Sequence, residues 1–216
     1  MSKVSEKVYA CFDHVIMHPL DHVRMHPNMY YKKIGDGTEY GDCIYLMLQE
    51  ILNNSIDEFM MGYGNRVEVS VDYTTGEMSV RDYGRGAFIE KLDDCFIFSG
   101  FCGGMWAGDI KMDDLASWCG AAKAVSALSE SFQVRSVRDG KFGQLIIRHG
   151  KKVSYDIGEC SADEMNGLLV RWIPDATVIP SFTVVEEHVV RRIKECVAAN
   201  PGLTFFLNGR EIAVTA

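Results

Sequence analysis

The chain has 216 residues, 47% hydrophobic and 24% charged, with a formal net charge of −8. This is an ordinary globular composition, long enough for one large domain or two small ones. The negative balance argues against this chain alone clamping a nucleic-acid backbone, which needs clustered Lys and Arg.

No apolar run reaches the roughly 18–20 residues of a membrane span. The segment from Met1 to Lys7 lacks the apolar stretch of a secretory signal. A cytoplasmic protein without membrane contact is expected. The seven cysteines are scattered and form no CxxC pair, so reduced thiols are expected rather than a disulfide framework or zinc ribbon.

Residues 1–20 form an N-terminal arm. His14, His18, His22 and His26 recur every four residues, but Pro19 and Pro27 break any single helix through them. Surface exposure is expected there, not a metal-binding ridge. The Gly35-Asp36-Gly37-Thr38 cluster is a loop.

From Cys43 to about Met61 the apolar spacing predicts one helix. Ile44, Met47, Leu48, Ile51, Leu52, Ser55 and Phe59 supply its packed side. At about 100° per residue, Glu50, Asn54 and Asp57 fall on one narrow stripe. Gly62 and Gly64 end the helix. Val67, Val69 and Val71 alternate with polar residues as a strand, and Met78–Asp82 returns as its hairpin partner. Tyr83-Gly84-Arg85-Gly86 follows as a loop.

A short helix is expected around Glu90–Phe98, then a glycine-rich segment with Gly100, Gly103, Gly104 and Gly108. Asp113 or Asp114 caps a helix that runs to about Ser129. Strands are expected near 131–138, 142–149, 151–157 and 168–173, with turns at Asp139-Gly140 and Gly150. Residues 183–199 read as an amphipathic helix. A last hairpin, Leu203–Leu207 and Glu211–Val214, turns at Asn208-Gly209. The order predicts one α+β domain over 1–216, a two-layer sandwich of helices on one face of a mixed, mostly antiparallel sheet.

Three segments carry candidate chemistry. An ionised Asp82 is acceptor-only and selects a ring amine over a ring carbonyl. Gly84 and Gly86 beside it let the backbone approach a flat base. The Asn54 amide oxygen suits Mg²⁺, a hard cation completed by phosphate oxygens and water. Glu50, one turn earlier, is placed to orient or deprotonate an attacking water. Each has a plainer alternative: Glu50 and Asp57 as the solvated face of a helix, and Asp-x-Gly-x-Gly as only a turn.

Val23-Arg24-Met25-His26-Pro27-Asn28-Met29-Tyr30, Glu50-Ile51-Leu52-Asn53-Asn54-Ser55-Ile56-Asp57-Glu58 and Arg81-Asp82-Tyr83-Gly84-Arg85-Gly86 occur in that order. They resemble the V-R-x-R-P-G-M-Y, E-x-x-D-N-x-x-D-E and D-x-G-R-G motifs of the ATPase domain of bacterial type IIA topoisomerase B-type subunits, those of gyrase and topoisomerase IV. Lys123–Ser129 is similar to the helix after that family's ATP lid, and Val134–Lys141 to the strand that follows.

The resemblance implies a GHKL-type (Bergerat) fold that binds ATP and Mg²⁺. It implies Glu50 as general base, Asn54 as Mg²⁺ ligand and Asp82 on the adenine amine. Gly84 and Gly86 would line the base pocket, with Asp57 near the base and its waters. Arg85 would pair with Glu58 at the rim, flanked by Arg138. Gly103, Gly104, Gly120, Lys123 and Leu168 fall at the family's remaining nucleotide-contacting positions. In the whole protein, ATP would drive self-dimerisation of a gate for DNA, with an A-type topoisomerase partner. The transducer and DNA-cleavage domains of that family are not expected within this chain.

Departures cluster in the lid. The phosphate-reaching lysine is Met105, and two phosphate-cradling glycines fall on Cys119 and Ala121, behind Trp118. A Gly-Thr pair becomes Gly167-Leu168, and a proline becomes Phe88. Loops that cradle phosphate work through free backbone amides in conformations that favour glycine. The adenine end of the site therefore reads as intact and the triphosphate end as altered. The alternative expectation is a degenerate module that binds adenine nucleotide without hydrolysis and serves an interaction or regulatory role.

Overall fold

The computed structural model describes residues 19–87 and 122–213. In chain order the elements are α1 (Pro19–Met25), a 3-10 turn (Pro27–Met29), α2 (Cys43–Met60), β1 (Arg66–Val71) and β2 (Met78–Asp82). After these come α3 (Ala122–Ala127), β3 (Ser129–Arg138), β4 (Lys141–Arg148), β5 (Lys151–Glu159), β6 (Gly167–Pro174), α4 (Glu186–Ala199), β7 (Thr204–Leu207) and β8 (Arg210–Ile212).

The strands form one eight-stranded sheet in the order β5-β4-β3-β6-β2-β1-β7-β8. Every neighbouring pair is antiparallel except β1 and β7. The architecture is the expected α+β with a mixed sheet. α2 packs across β2 and β6, and α3 and α4 pack beside α2. The core joins Ile44, Met47, Leu48, Ile51 and Leu52 of α2 to Val80, Phe132, Val170, Trp172 and Phe205 of the sheet.

Local chemistry explains the element ends. Gly62 has φ +89°, and its amide donates to Phe59 O while Tyr63 N donates to Glu58 O. That pair of bonds is the Schellman closure of a helix on glycine. Asp139-Gly140, His149-Gly150 and Asn208-Gly209 each have two successive positive φ values, the geometry of two-residue hairpin turns. His149 holds a conformation that glycine or asparagine usually supplies.

The last strand runs Arg210–Ile212 rather than Glu211–Val214, and two helix boundaries also need correction. The helix expected from residue 183 starts at Glu186, because Thr183 N donates to Asp36 O at 2.7 Å and Val185 N to Tyr45 Oη at 2.8 Å. Those two amides are committed before the helix begins. The helix expected to reach Ser129 ends at Ala127, since Ser129 already starts β3 opposite Pro174. The parallel β1–β7 pairing joins segments far apart in the chain and has no local sequence signal.

The arm up to residue 18 with His14 and His18, the helix expected at Glu90–Phe98 and the Asp113/Asp114 cap lie outside the described residues. His22 and His26 are within them. Their ring centroids lie 4.9 Å apart with the planes tilted by 55°, and His22 Nδ1 meets Tyr30 Oη at 3.0 Å. No helix among the described residues is long and apolar enough to cross a membrane.

Candidate functional site

Asp82 is the last residue of β2 and is buried, 4% exposed. Its Oδ1 accepts the amide of Gly84 at 3.0 Å and that of Leu168 at 3.2 Å. Oδ2 makes no hydrogen bond to a described residue. Burial pushes the pKa up to about 6, against the downward pull of the two amides. At neutral pH the group is mostly ionised, with one oxygen committed to the backbone and one able to accept from a ligand.

The loop after Asp82 leaves no room for a side chain at its two glycines. A Cβ on Gly84 would stand 2.2 Å from Glu58 Cγ, and one on Gly86, at φ +74°, 2.3 Å from Val137 O. Glu58 is buried and fastens this loop to α2. It accepts Arg85 N at 2.8 Å, Arg85 Nε at 2.9 Å and Arg85 Nη2 at 3.1 Å. The Arg85 guanidinium also lies over the Tyr63 ring at 3.9 Å. Arg138 reaches the same loop from β3, donating to Gly86 O at 3.2 Å.

Asn54 is 5% exposed, and its Nδ2 has no partner among the described residues. Such a donor costs about 1–3 kcal/mol, which an acceptor on a ligand, such as a phosphate oxygen, would recover. Glu50 and Asp57 are half-buried, and burial raises both carboxyls. Neither side chain of this stripe is fully solvated. No group of three or more His, Cys, Asp or Glu among the described residues could hold a metal alone. A cation at Asn54 would take most of its ligands from phosphate oxygens and water, which suits Mg²⁺.

Leu168 contributes its amide to Asp82 while its side chain is buried in the core. Gly167 before it, at φ +134°, presses on Asp82 O, where a Cβ would stand at 2.2 Å. Lys123 is half-buried in α3. The structure thus joins Asp82, Gly84, Arg85, Gly86, Arg138 and Leu168 around the end of β2, beside α2. Gly103, Gly104 and Gly120, with Met105, Cys119, Ala121, Trp118 and Phe88, lie outside the described residues.

Two features were not foreseen. Arg24 donates to Ala127 O and to Asp175 Oδ2, both at 2.7 Å, so it bolts α1 to the end of α3. His149 Nδ1 lies 2.8 Å from the same oxygen of Asp175, whose Oδ1 accepts Thr177 N and Oγ1. The Asp-x-Thr spacing at 175–177 is the one sequence signal for this turn. The other feature is the burial of Tyr31, which nothing in its neighbouring residues signals. A shallow open groove along α4, between Glu187, Arg191 and Lys194, contains none of the expected site residues.

The fold is similar to that of a solved gyrase B ATPase domain. The fold matches the 43K ATPase domain of Thermus thermophilus gyrase B, solved in complex with an aminocoumarin, with a TM-score of 0.72. That match has 20% identity and covers 91% of this chain and 50% of that one.

In sequence the chain is 31% identical over 194 residues to the B-type subunit of DNA topoisomerase 4 from Borreliella burgdorferi, covering 90% of this chain and 32% of that protein. It is 26% identical over 212 residues to the B-type subunit of DNA gyrase from Mycolicibacterium smegmatis, covering 95% and 30%. No family model matches. The chain is a homologue of the B-type subunits of bacterial type II topoisomerases, and it spans about a third of the length of these curated relatives.

Proposed function

We propose that this chain is the ATP-binding and ATP-hydrolysing domain of a topoisomerase IV or gyrase B-like protein. The observation that carries the reading is Asp82, buried, pinned by the amides of Gly84 and Leu168, with a second carboxylate oxygen left to accept. That geometry suits the exocyclic amine of adenine. Asn54 would hold Mg²⁺, which would neutralise charge on the phosphates. Glu50 would take the proton of the attacking water, a role that a carboxyl raised by burial serves better than a fully solvated one. In the complete protein, ATP-driven self-dimerisation would gate DNA passage together with an A-type topoisomerase partner, in the cytoplasm.

A second reading rests on Met105, Cys119 and Ala121, which replace a lysine and two glycines of the family's lid. It gives a domain that binds adenine nucleotide without turnover. Calorimetric titration with ADP and with ATP, each with and without Mg²⁺, tests both. Tighter binding of ATP than ADP, dependent on Mg²⁺, supports the first reading; equal binding without turnover supports the second. No binding by the wild-type chain, or undiminished binding by Asp82→Asn, would refute the adenine site itself.

A further inference from the structure

Arg81 precedes Asp82 in β2, and successive strand residues point to opposite faces of a sheet. The burial alternates to match: Met78, Val80 and Asp82 are buried, while Ser79 and Arg81 are half-buried on the other face. On that face the Arg81 guanidinium meets two segments. Its Nη2 donates to Met165 O at 2.6 Å and, more weakly, to Asn166 O at 3.4 Å. Its centre also lies 5.0 Å from the centroid of the Tyr83 ring, which Arg66 approaches at 5.6 Å.

Both segments lead straight to the Asp82 carboxylate. Gly167 and Leu168 follow Asn166, and Leu168 N donates to Asp82 Oδ1 at 3.2 Å. Gly84 follows Tyr83, and its amide donates to the same oxygen at 3.0 Å. Arg81 thus grips, from one face of the sheet, the two stretches of backbone that aim a carboxylate on the other. The 164–166 segment has further anchors. Glu164 accepts Arg135 Nε at 2.8 Å, and Asn166 Oδ1 accepts Asp139 N at 3.1 Å. Arg81 adds a link from that segment to Tyr83. Its charge acts in the same sense: burial raises the Asp82 carboxyl, and the Gly84 and Leu168 amides and then Arg81 oppose it.

A hydrogen bond from a charged donor is stronger than one between neutral groups, and the planar arginine fork fixes direction as an ammonium does not. We infer that Arg81 is a positioning residue for base recognition: through Met165 and Tyr83 it sets the direction of the Asp82 carboxylate, and with it the preference for adenine over a base with a ring carbonyl. This rests on Asp82 being the adenine contact.

The test compares wild type, Arg81→Met, Arg81→Lys and Arg171→Met in the whole chain. Arg81→Met keeps the apolar stem and deletes the fork. Arg171→Met is the control, since Arg171 pairs in register with Ser79 on the same face and reaches Glu77 at 3.6 Å. Calorimetry reads the affinity for ADP and for inosine diphosphate, which carries a ring carbonyl in place of the amine. Wild type is expected to prefer ADP by about 100-fold or more. In Arg81→Met, ADP affinity should fall about tenfold, the scale of one hydrogen bond from a charged group, with inosine diphosphate within about twofold. Arg81→Lys should narrow the preference about threefold, since it keeps the charge without the fork, and Arg171→Met should leave it unchanged. Without nucleotide, hydrogen exchange at the Gly84 and Leu168 amides should quicken about tenfold in Arg81→Met, with β4 amides unchanged.

An unchanged preference in either Arg81 variant, equal losses for both nucleotides, or unchanged exchange at those two amides would overturn the inference and leave Asp82 as the contact. Arg81→Lys carries the same comparisons should Arg81→Met not fold. A wild type that binds both nucleotides equally would refute Asp82 as the adenine contact, and the inference with it.

Discussion

Asp82 Oδ1 accepts the amide of Leu168 at 3.2 Å, so the start of β6 holds the carboxylate that ends β2. The two strands are neighbours, with Arg81 opposite Leu169 in the ladder. The carboxylate is thus aimed by backbone, not by a rotamer alone. Asp82→Asn keeps that acceptor and removes the charge. It should weaken ADP binding by about 1.5–3 kcal/mol, roughly 10- to 150-fold. Its unfolding midpoint at pH 7.5 should equal or exceed that of wild type, because burial opposes the charge it removes. Calorimetry and thermal unfolding on the same preparation check both.

Asp82 also sets a pH dependence. Its pKa in the folded chain is raised to about 6. The ionised form that accepts from an amine is lost as pH falls below that value, so ADP affinity should fall between pH 7 and pH 5. The stability sign is opposite. A raised carboxyl binds its proton more tightly in the folded chain, so its stabilising contribution is present at low pH and lost as pH rises through about 6. Asp82→Asn should lose both dependences. A profile of ADP affinity that is flat from pH 7 to pH 5 would count against Asp82 as the contact.

Asp175 behaves the other way. Burial would raise it, but hydrogen bonds from His149, Thr177 and Arg24 outweigh burial and hold it well below the usual carboxylate range. A depressed carboxyl adds stability above its unfolded value, and that stability is lost as pH falls through the folded one. Asp175→Asn should cost about 1.5–3 kcal/mol at pH 7 and flatten the acid limb of the stability profile below about pH 4. ADP affinity well above the unfolding range should stay the same, since these contacts bolt α1 to α3 and not the Asp82 loop. Urea unfolding across pH reads the first effect and calorimetry the second.

Gly84→Ala tests the fit of the loop on α2. Its Cβ would lie 2.2 Å from Glu58 Cγ, so the Glu58–Arg85 pair must open. A loss of about 1–3 kcal/mol is expected, with weaker ADP binding. Gly41→Ala is the control, since nothing lies within 4 Å of its Cβ. Equal stability of the two variants would mean that the loop does not pack as described.

Much of this was legible in local pattern. The period of the 43–61 run marked α2, Asp-Gly and Asn-Gly marked hairpins, and Met78–Asp82 matched β2 residue for residue. The Asp82 loop was visible because its constraint is local: glycines two and four residues on, close to an acid. What escaped was non-local. β1–β7 pairing, the Arg24–Asp175–His149 junction and the burial of Tyr31 each depend on distant segments meeting in space. The start of α4 at Glu186 was hidden for the same reason, since the amides of Thr183 and Val185 are taken by Asp36 and Tyr45. Leu168 shows a limit of reading residue types: its side chain signals a lost hydroxyl, yet its backbone amide is what reaches Asp82.

The central claim is that the α2 stripe turns over ATP bound at Asp82. The most direct measurement is Mg²⁺-dependent ATP hydrolysis by the wild-type chain, Glu50→Ala and Met105→Lys, with ADP affinity measured in parallel. Turnover in wild type, its loss in Glu50→Ala with ADP affinity retained, and an equal or faster rate in Met105→Lys are expected. Equal turnover in wild type and Glu50→Ala would contradict the assignment of Glu50, and no turnover in either wild type or Met105→Lys would contradict hydrolysis by this domain.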